Sequence, residues 1–95
     1  MALGEFVPLV GQMFEVDCSP KAIAIRLIEA SPARFGGQGL KEPFRLVFHS
    51  TPDIMLIEAI YVMRCGTFGP ESIYLGSMVS PIGAAPGYYY QASFN

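Results

Sequence analysis

The chain has 95 residues, enough for one compact domain spanning 1–95 and too few for two separate cores. Hydrophobic side chains make up 52% and charged ones only 15%, against about 25% charged in ordinary soluble domains, so an isolated copy is expected to leave apolar area at its surface and to associate. Net charge is −2 and the six basic residues Lys21, Arg26, Arg34, Lys41, Arg45 and Arg64 stand singly, which excludes the clustered cationic patch of a nucleic-acid binder.

Glu5 to Gly11 reads as a short turn or helix. No apolar run reaches the roughly 20 residues that span a bilayer, so no transmembrane segment is predicted. The N-terminal stretch lacks a basic region and meets Glu5 and Pro8 early, so no signal peptide is expected. Synthesis in the cytoplasm follows, with later incorporation into an extracellular or virion-like assembly left open. Met13 to Val16 is a candidate strand.

Residues 21–30 fit two patterns. Asp17, Ser19 and Pro20 resemble a helix start, whereas Ile23, Ile25 and Leu27 alternate with Ala24, Arg26 and Ile28 as in a strand. The spacing of the neighbouring elements favours the strand. Ser31 to Gly39 is a glycine-rich connection. In Phe44 to His49, alternation places Phe44, Leu46 and Phe48 on a buried face and Arg45, Val47 and His49 on the other. Ser50 to Asp53 is a polar turn that implies a hairpin to the next strand, Ile60 to Arg64. Cys65 to Glu71 reads as a connection, Ser72 to Val79 as a strand, Pro81 to Gly87 as an uncharged loop, and Tyr88 to Phe94 as a closing strand. The predicted fold is all-β, a small antiparallel barrel or sandwich of about six strands, with Phe44, Leu46, Phe48, Tyr61 and Phe94 in its core.

Residues that could carry chemistry are few. Cys18 and Cys65 flank no C-x-x-C pair, and with His49 as the sole histidine no metal site is expected. A Cys–His nucleophile built from Cys18 or Cys65 with His49, oriented by Asp17, Asp53 or Glu58, has no spacing in its favour, and free cysteines are ordinarily small buried hydrophobes. The carboxylates Glu15, Asp17, Asp53 and Glu58 lack a calcium-loop pattern. Gly36, Gly37 and Gly39 surround Gln38 without the following Lys and Ser or Thr of a phosphate cradle. The expectation is a non-enzyme without cofactor.

Phe6, Gly11 and Phe14, the Pro43 to Phe48 strand, Tyr61, Phe68-Gly69 and the ending Tyr90-Gln91-Ala92-Ser93-Phe94-Asn95 together resemble a family of small bacterial β domains of unknown function. The resemblance covers nearly the whole chain. It implies a β fold and, through an association with phage-tail-collar-like or fibre-like genes, an accessory structural component.

The functional expectation is a structural or interaction domain that assembles with itself or another protein subunit into an oligomer or a phage-tail-like or fibre-like complex. The uncharged Pro81 to Gly87 loop and the strand after it supply the candidate interface: Ile82, Tyr88, Tyr89 and Tyr90. The alternative is a small ligand- or glycan-binding module in which Tyr74, Tyr88, Tyr89, Tyr90 and Phe94 form an aromatic platform.

Overall fold

A computed structural model of the chain describes residues 1–33 and 43–94. Arg34, the glycine-rich stretch Gly36 to Gly39, Lys41 and Asn95 therefore lie outside the described residues. A short helix α1 (Leu3–Phe6) runs into a 3-10 turn at Val7–Leu9, followed by β1 (Met13–Val16), β2 (Ile23–Pro32), β3 (Phe44–Ser50), β4 (Ala59–Cys65), β5 (Phe68–Met78) and β6 (Tyr88–Phe94). All neighbouring strands are antiparallel, and the order β1-β2-β3-β6-β5-β4 closes on itself as a barrel. The fold is thus the expected all-β, six-stranded architecture, and of the segment 21–30 residues 23–30 are strand, with Lys21 and Ala22 in the connection before it.

The ring consists of two three-stranded meanders, β1-β2-β3 and β4-β5-β6, joined at two seams. At one seam β3 pairs with β6 from Phe44↔Phe94 to Ser50↔Tyr88, and at the other β1 meets β4 at Glu15↔Arg64 and Val16↔Met63. This arrangement corrects two expectations. The Ser50 to Asp53 turn does not make a hairpin, because β3 and β4 are not neighbours and residues 51–58 cross the mouth of the barrel instead. The connection expected over Cys65 to Glu71 shrinks to Gly66 and Thr67, with β5 already begun at Phe68. Pro70 is tolerated there because β5 pairs with β6 only from Gly76 onward, so on that side no ladder partner awaits its missing N–H.

Period-2 alternation fills the interior as expected. Phe44, Leu46 and Phe48 point inward beside Phe14, Ile25, Leu27, Met63, Ile73 and Leu75, all buried, while Tyr61 and Phe94 are half-buried against the same core. Each large side chain buried this way contributes about 1.5–3 kcal/mol. Six phenylalanines interlock at the end where the chain enters β1. Phe6, carried in by α1, meets Phe68 at 5.0 Å, Phe44 at 5.7 Å and Phe94 at 5.8 Å between ring centres, and Phe44 stacks on Phe94 at 4.6 Å. Phe14 sits edge-on to Phe48 at 5.3 Å deeper in the barrel. This end is the base. Val47, expected outside with Arg45 and His49, is also buried, flanked on the outer face by Glu29 and Gln91 across both of its ladders.

Candidate functional site

The opposite end, the crown, is built from the connections β1–β2 (17–22), β3–β4 (51–58) and β5–β6 (79–87), which leave the barrel on the same side because the strands alternate in direction. In the β3–β4 connection the Ile54 amide donates to the Thr51 carbonyl at 3.0 Å, and the chain then drops Leu56 into the barrel mouth. Buried Tyr90 holds it there. The Leu56 N–H donates to the Tyr90 hydroxyl at 3.0 Å, Ser50 Oγ lies 2.9 Å from that hydroxyl, and Ser50 donates to the Ile54 carbonyl at 2.8 Å. Since a carbonyl can only accept, the single Ser50 proton is committed to Ile54, so Tyr90 donates to Ser50. The resulting chain, Leu56 N–H to Tyr90 to Ser50 to Ile54 C=O, leaves none of these groups without a partner.

The β5–β6 loop is strapped to the barrel's outer wall. The Ala84 amide donates to the Pro81 carbonyl at 3.1 Å, and Gly83 takes a φ of +76°, as the third position of a type II turn requires. Ile82 occupies the turn's corner, fully exposed. On the way back, the Tyr89 hydroxyl donates to the Ala85 carbonyl at 2.7 Å and His49 Nε2 donates to the Pro86 carbonyl at 2.9 Å. At Gly87 a Cβ would come within 2.1 Å of the Ser50 carbonyl oxygen and 2.5 Å of His49 Nε2, so only glycine lets the loop lie this close.

Between this loop and residues 55–58 runs an apolar groove of about 290 Å³, lined chiefly by Met55, Ile57, Met78 and Tyr88, with Glu58 at its edge. The Glu58 carboxylate accepts a hydrogen bond from the Tyr74 hydroxyl, which pushes the Tyr74 ionisation up. In the groove's lining Met55 is 63% exposed, Ile57 70% and Tyr88 41%, and with Val79, 88% exposed in an adjoining hollow beside Gln91, and Ile82 the crown presents five large apolar side chains to solvent.

Of the four residues expected at an interface, Ile82 and Tyr88 are on this surface, and two are corrected. Tyr89 is covered by its own loop and by His49, whose ring centre lies 4.8 Å away, and Tyr90 points into the barrel. The strand that carries them is no edge: it is paired on both sides, to β3 and β5. Met55, Ile57 and Val79 went unrecognised in the sequence. The run Ile54-Met55-Leu56-Ile57, four apolar residues inside a connection, was the signal available for the first two.

The other candidates are dispersed. Cys65 pairs with Phe68 in the hairpin at the base, Cys18 is half-buried in the β1–β2 connection, and His49 faces Tyr89 and Pro86 on the outer wall. Burial pushes both thiols up, and Asp17 adds to this at Cys18, so neither is poised as a thiolate. Glu15 and Asp17 share Arg64 at 3.3 and 2.7 Å, Glu29 holds Arg45 at 3.1 Å, and Arg26 donates to the Gly11 carbonyl at 2.6 Å. Asp53 takes the Thr51 hydroxyl, which lowers its pKa. Among the described residues no three His, Cys, Asp or Glu side chains gather as a metal site, and no helix is long and apolar enough to cross a membrane. The expected aromatic platform is not assembled, since only Tyr74 and Tyr88 of its members are exposed.

The family model described as a domain of unknown function, DUF6916, matches residues 1–94, and the chain belongs to that family. No curated protein and no solved structure matches it.

Proposed function

We propose that this DUF6916 domain is a structural, non-enzymatic interaction module whose crown docks onto a protein subunit, within an oligomer or a larger phage-tail-like or fibre-like assembly. The observation that carries this reading is the rigid apolar crown. Turn corners and barrel mouths ordinarily carry polar residues, because a polar side chain there keeps its water at no cost. Here Ile82 takes a turn corner, Met55, Ile57 and Tyr88 line the groove, and the exposed Val79 borders an adjoining hollow with Met78 and Gln91.

The loop that displays Ile82 is already fixed by His49, Tyr89 and the close approach at Gly87, so docking would order little that is not ordered beforehand. The walls of the barrel carry arginines already neutralised by Glu15, Asp17 and Glu29, and their exposed apolar area includes the cross-strand pair Ile60 and Tyr74, whose hydroxyl is already taken by Glu58. The test is the mass of the native complex formed by the parent and by a Met55→Asp, Val79→Asp variant whose circular dichroism matches the parent. Loss of the complex is expected; a folded variant that keeps the full complex would overturn the docking role of the crown.

A further inference from the structure

We infer that the crown's partner is a second copy of this chain, related by a two-fold axis, with Ile82 of each copy seated in the groove of the other. This rests on the docking reading above and goes beyond it by naming the partner. A two-fold contact uses the same patch on both subunits, so the patch must hold both a projection and the hollow that receives it. The crown has both side by side. Ile82 projects from the turn at Pro81–Ala84, and the groove between Met55, Ile57, Met78 and Tyr88 opens next to the same loop, bordered by Ser80 and Gly87.

The chemistry and the area agree with this occupant. At about 290 Å³ the groove is at the lower end of ligand-site volumes and suits one or two aliphatic side chains, and its lining is mainly methionine, leucine, isoleucine and tyrosine, with Ser77 and Ser80 and a single carboxylate already engaged by Tyr74. Covered completely, Met55, Ile57, Ile82 and Tyr88 with the adjoining Val79 would contribute roughly 700 Å² on each copy, of the order of the about 800 Å² per partner that a stable interface buries. The base does not match. Its exposed apolar residues Val7, Val10 and Met13 are each about half exposed or less, and the hollow beside them includes Glu5, Gln12 and Thr67, so crown-to-base stacking would set apolar area against polar side chains.

Sedimentation velocity on the purified full chain, from about 1 µM to about 1 mM, reads the outcome directly. The mass should rise to two copies and stop. Ile82→Asp should weaken dimerisation by about a hundredfold or more, because a central anchor is lost from both halves of the contact at once. Its side chain is fully exposed, so the fold should survive, and Ile82→Ser gives a milder second variant. Val10→Asp, at the base, should dimerise as the parent does.

Mixing the Ile82→Asp and Val10→Asp proteins separates the geometries. In the two-fold arrangement the first stays monomeric while the second pairs with itself. Association of the mixture as a one-to-one complex, with neither variant associating alone, would mean crown-to-base contact and would overturn the proposal. A parent that stays monomeric throughout would also overturn it, yet leave the docking reading intact; that reading falls only when a folded crown variant retains its partner in the native complex.

Discussion

Tyr90→Phe isolates the hydrogen-bond chain beneath the crown while keeping the ring that packs in the core. Removing the hydroxyl takes the acceptor from the Leu56 N–H, which is buried, and the donor from Ser50 Oγ, while the Ser50 to Ile54 bond is untouched. A buried donor left without a partner costs about 1–3 kcal/mol, whereas the lost donation to a serine oxygen that keeps its other bond adds less. The expected loss is therefore about 2 kcal/mol, or a melting temperature lower by about 10 °C for a domain of this size. Urea denaturation of the parent, Tyr90→Phe, Ser50→Ala and the double variant provides the assay. The double variant should be more stable than the sum of the single losses implies, by at least about 0.5 kcal/mol, because both substitutions break one chain. A Tyr90→Phe loss under about 0.5 kcal/mol, or strict additivity, would refute the reasoning.

Three further outcomes are expected. Phe48→Ala should cost about 3–5 kcal/mol, since the ring is completely buried against Phe14; denaturation showing under about 1 kcal/mol would remove Phe48 from the core. Gly87→Ala should push the β5–β6 loop off His49 and Ser50, with a loss of at least about 1 kcal/mol and a changed ring environment for Tyr89 in NMR spectra, and unchanged spectra would contradict the close approach. The Ser31 and Arg45 hydrogen bonds hold Glu29 below the ordinary glutamate range, so its carboxylate favours the folded state above a pH of about 4.3, and that gain fades as pH falls through the lowered value. Because the pair is exposed, Glu29→Gln should cost under about 1 kcal/mol at pH 7 and nothing near pH 2; equal losses at both would argue against the pairing.

The strands were legible because alternation survives in them. Alternation in Met13–Val16 gives the strand's observed bounds, and Phe44 to His49 differs from the observed strand by Ser50 alone. Ile23–Pro32 was legible only as the better of two patterns, since Pro20 after Ser19 also suits a helix start. What local pattern cannot carry is which strand lies beside which. The Ser50 to Asp53 turn has hairpin chemistry, but the residues after it are drawn across the barrel mouth by Leu56 and by the Tyr90 hydroxyl, a partner 34 positions away.

The same limit explains the crown. Tyr88, Tyr89 and Tyr90 are identical in sequence terms, yet one is exposed, one lies beneath a loop that returns over it, and one donates inside the core. Only Ile82 could be placed outside from its surroundings, in a proline- and glycine-bearing loop. Met55 and Ile57 became surface residues because Leu56 between them is turned inward.

The two seams also govern how the chain reaches its folded state. Each meander forms from neighbours in sequence, but ring closure must join Phe44 to Phe94 and Glu15 to Arg64, pairs roughly fifty residues apart, and the entropy of bringing such ends together is lost before the contacts form. Proteins dominated by pairings of this kind fold in milliseconds to seconds, far more slowly than helical bundles of similar stability. Until the seams close, β3 and β6, and likewise β1 and β4, each expose an open flank, so the interval before closure is when the chain is most prone to pair with the wrong strand.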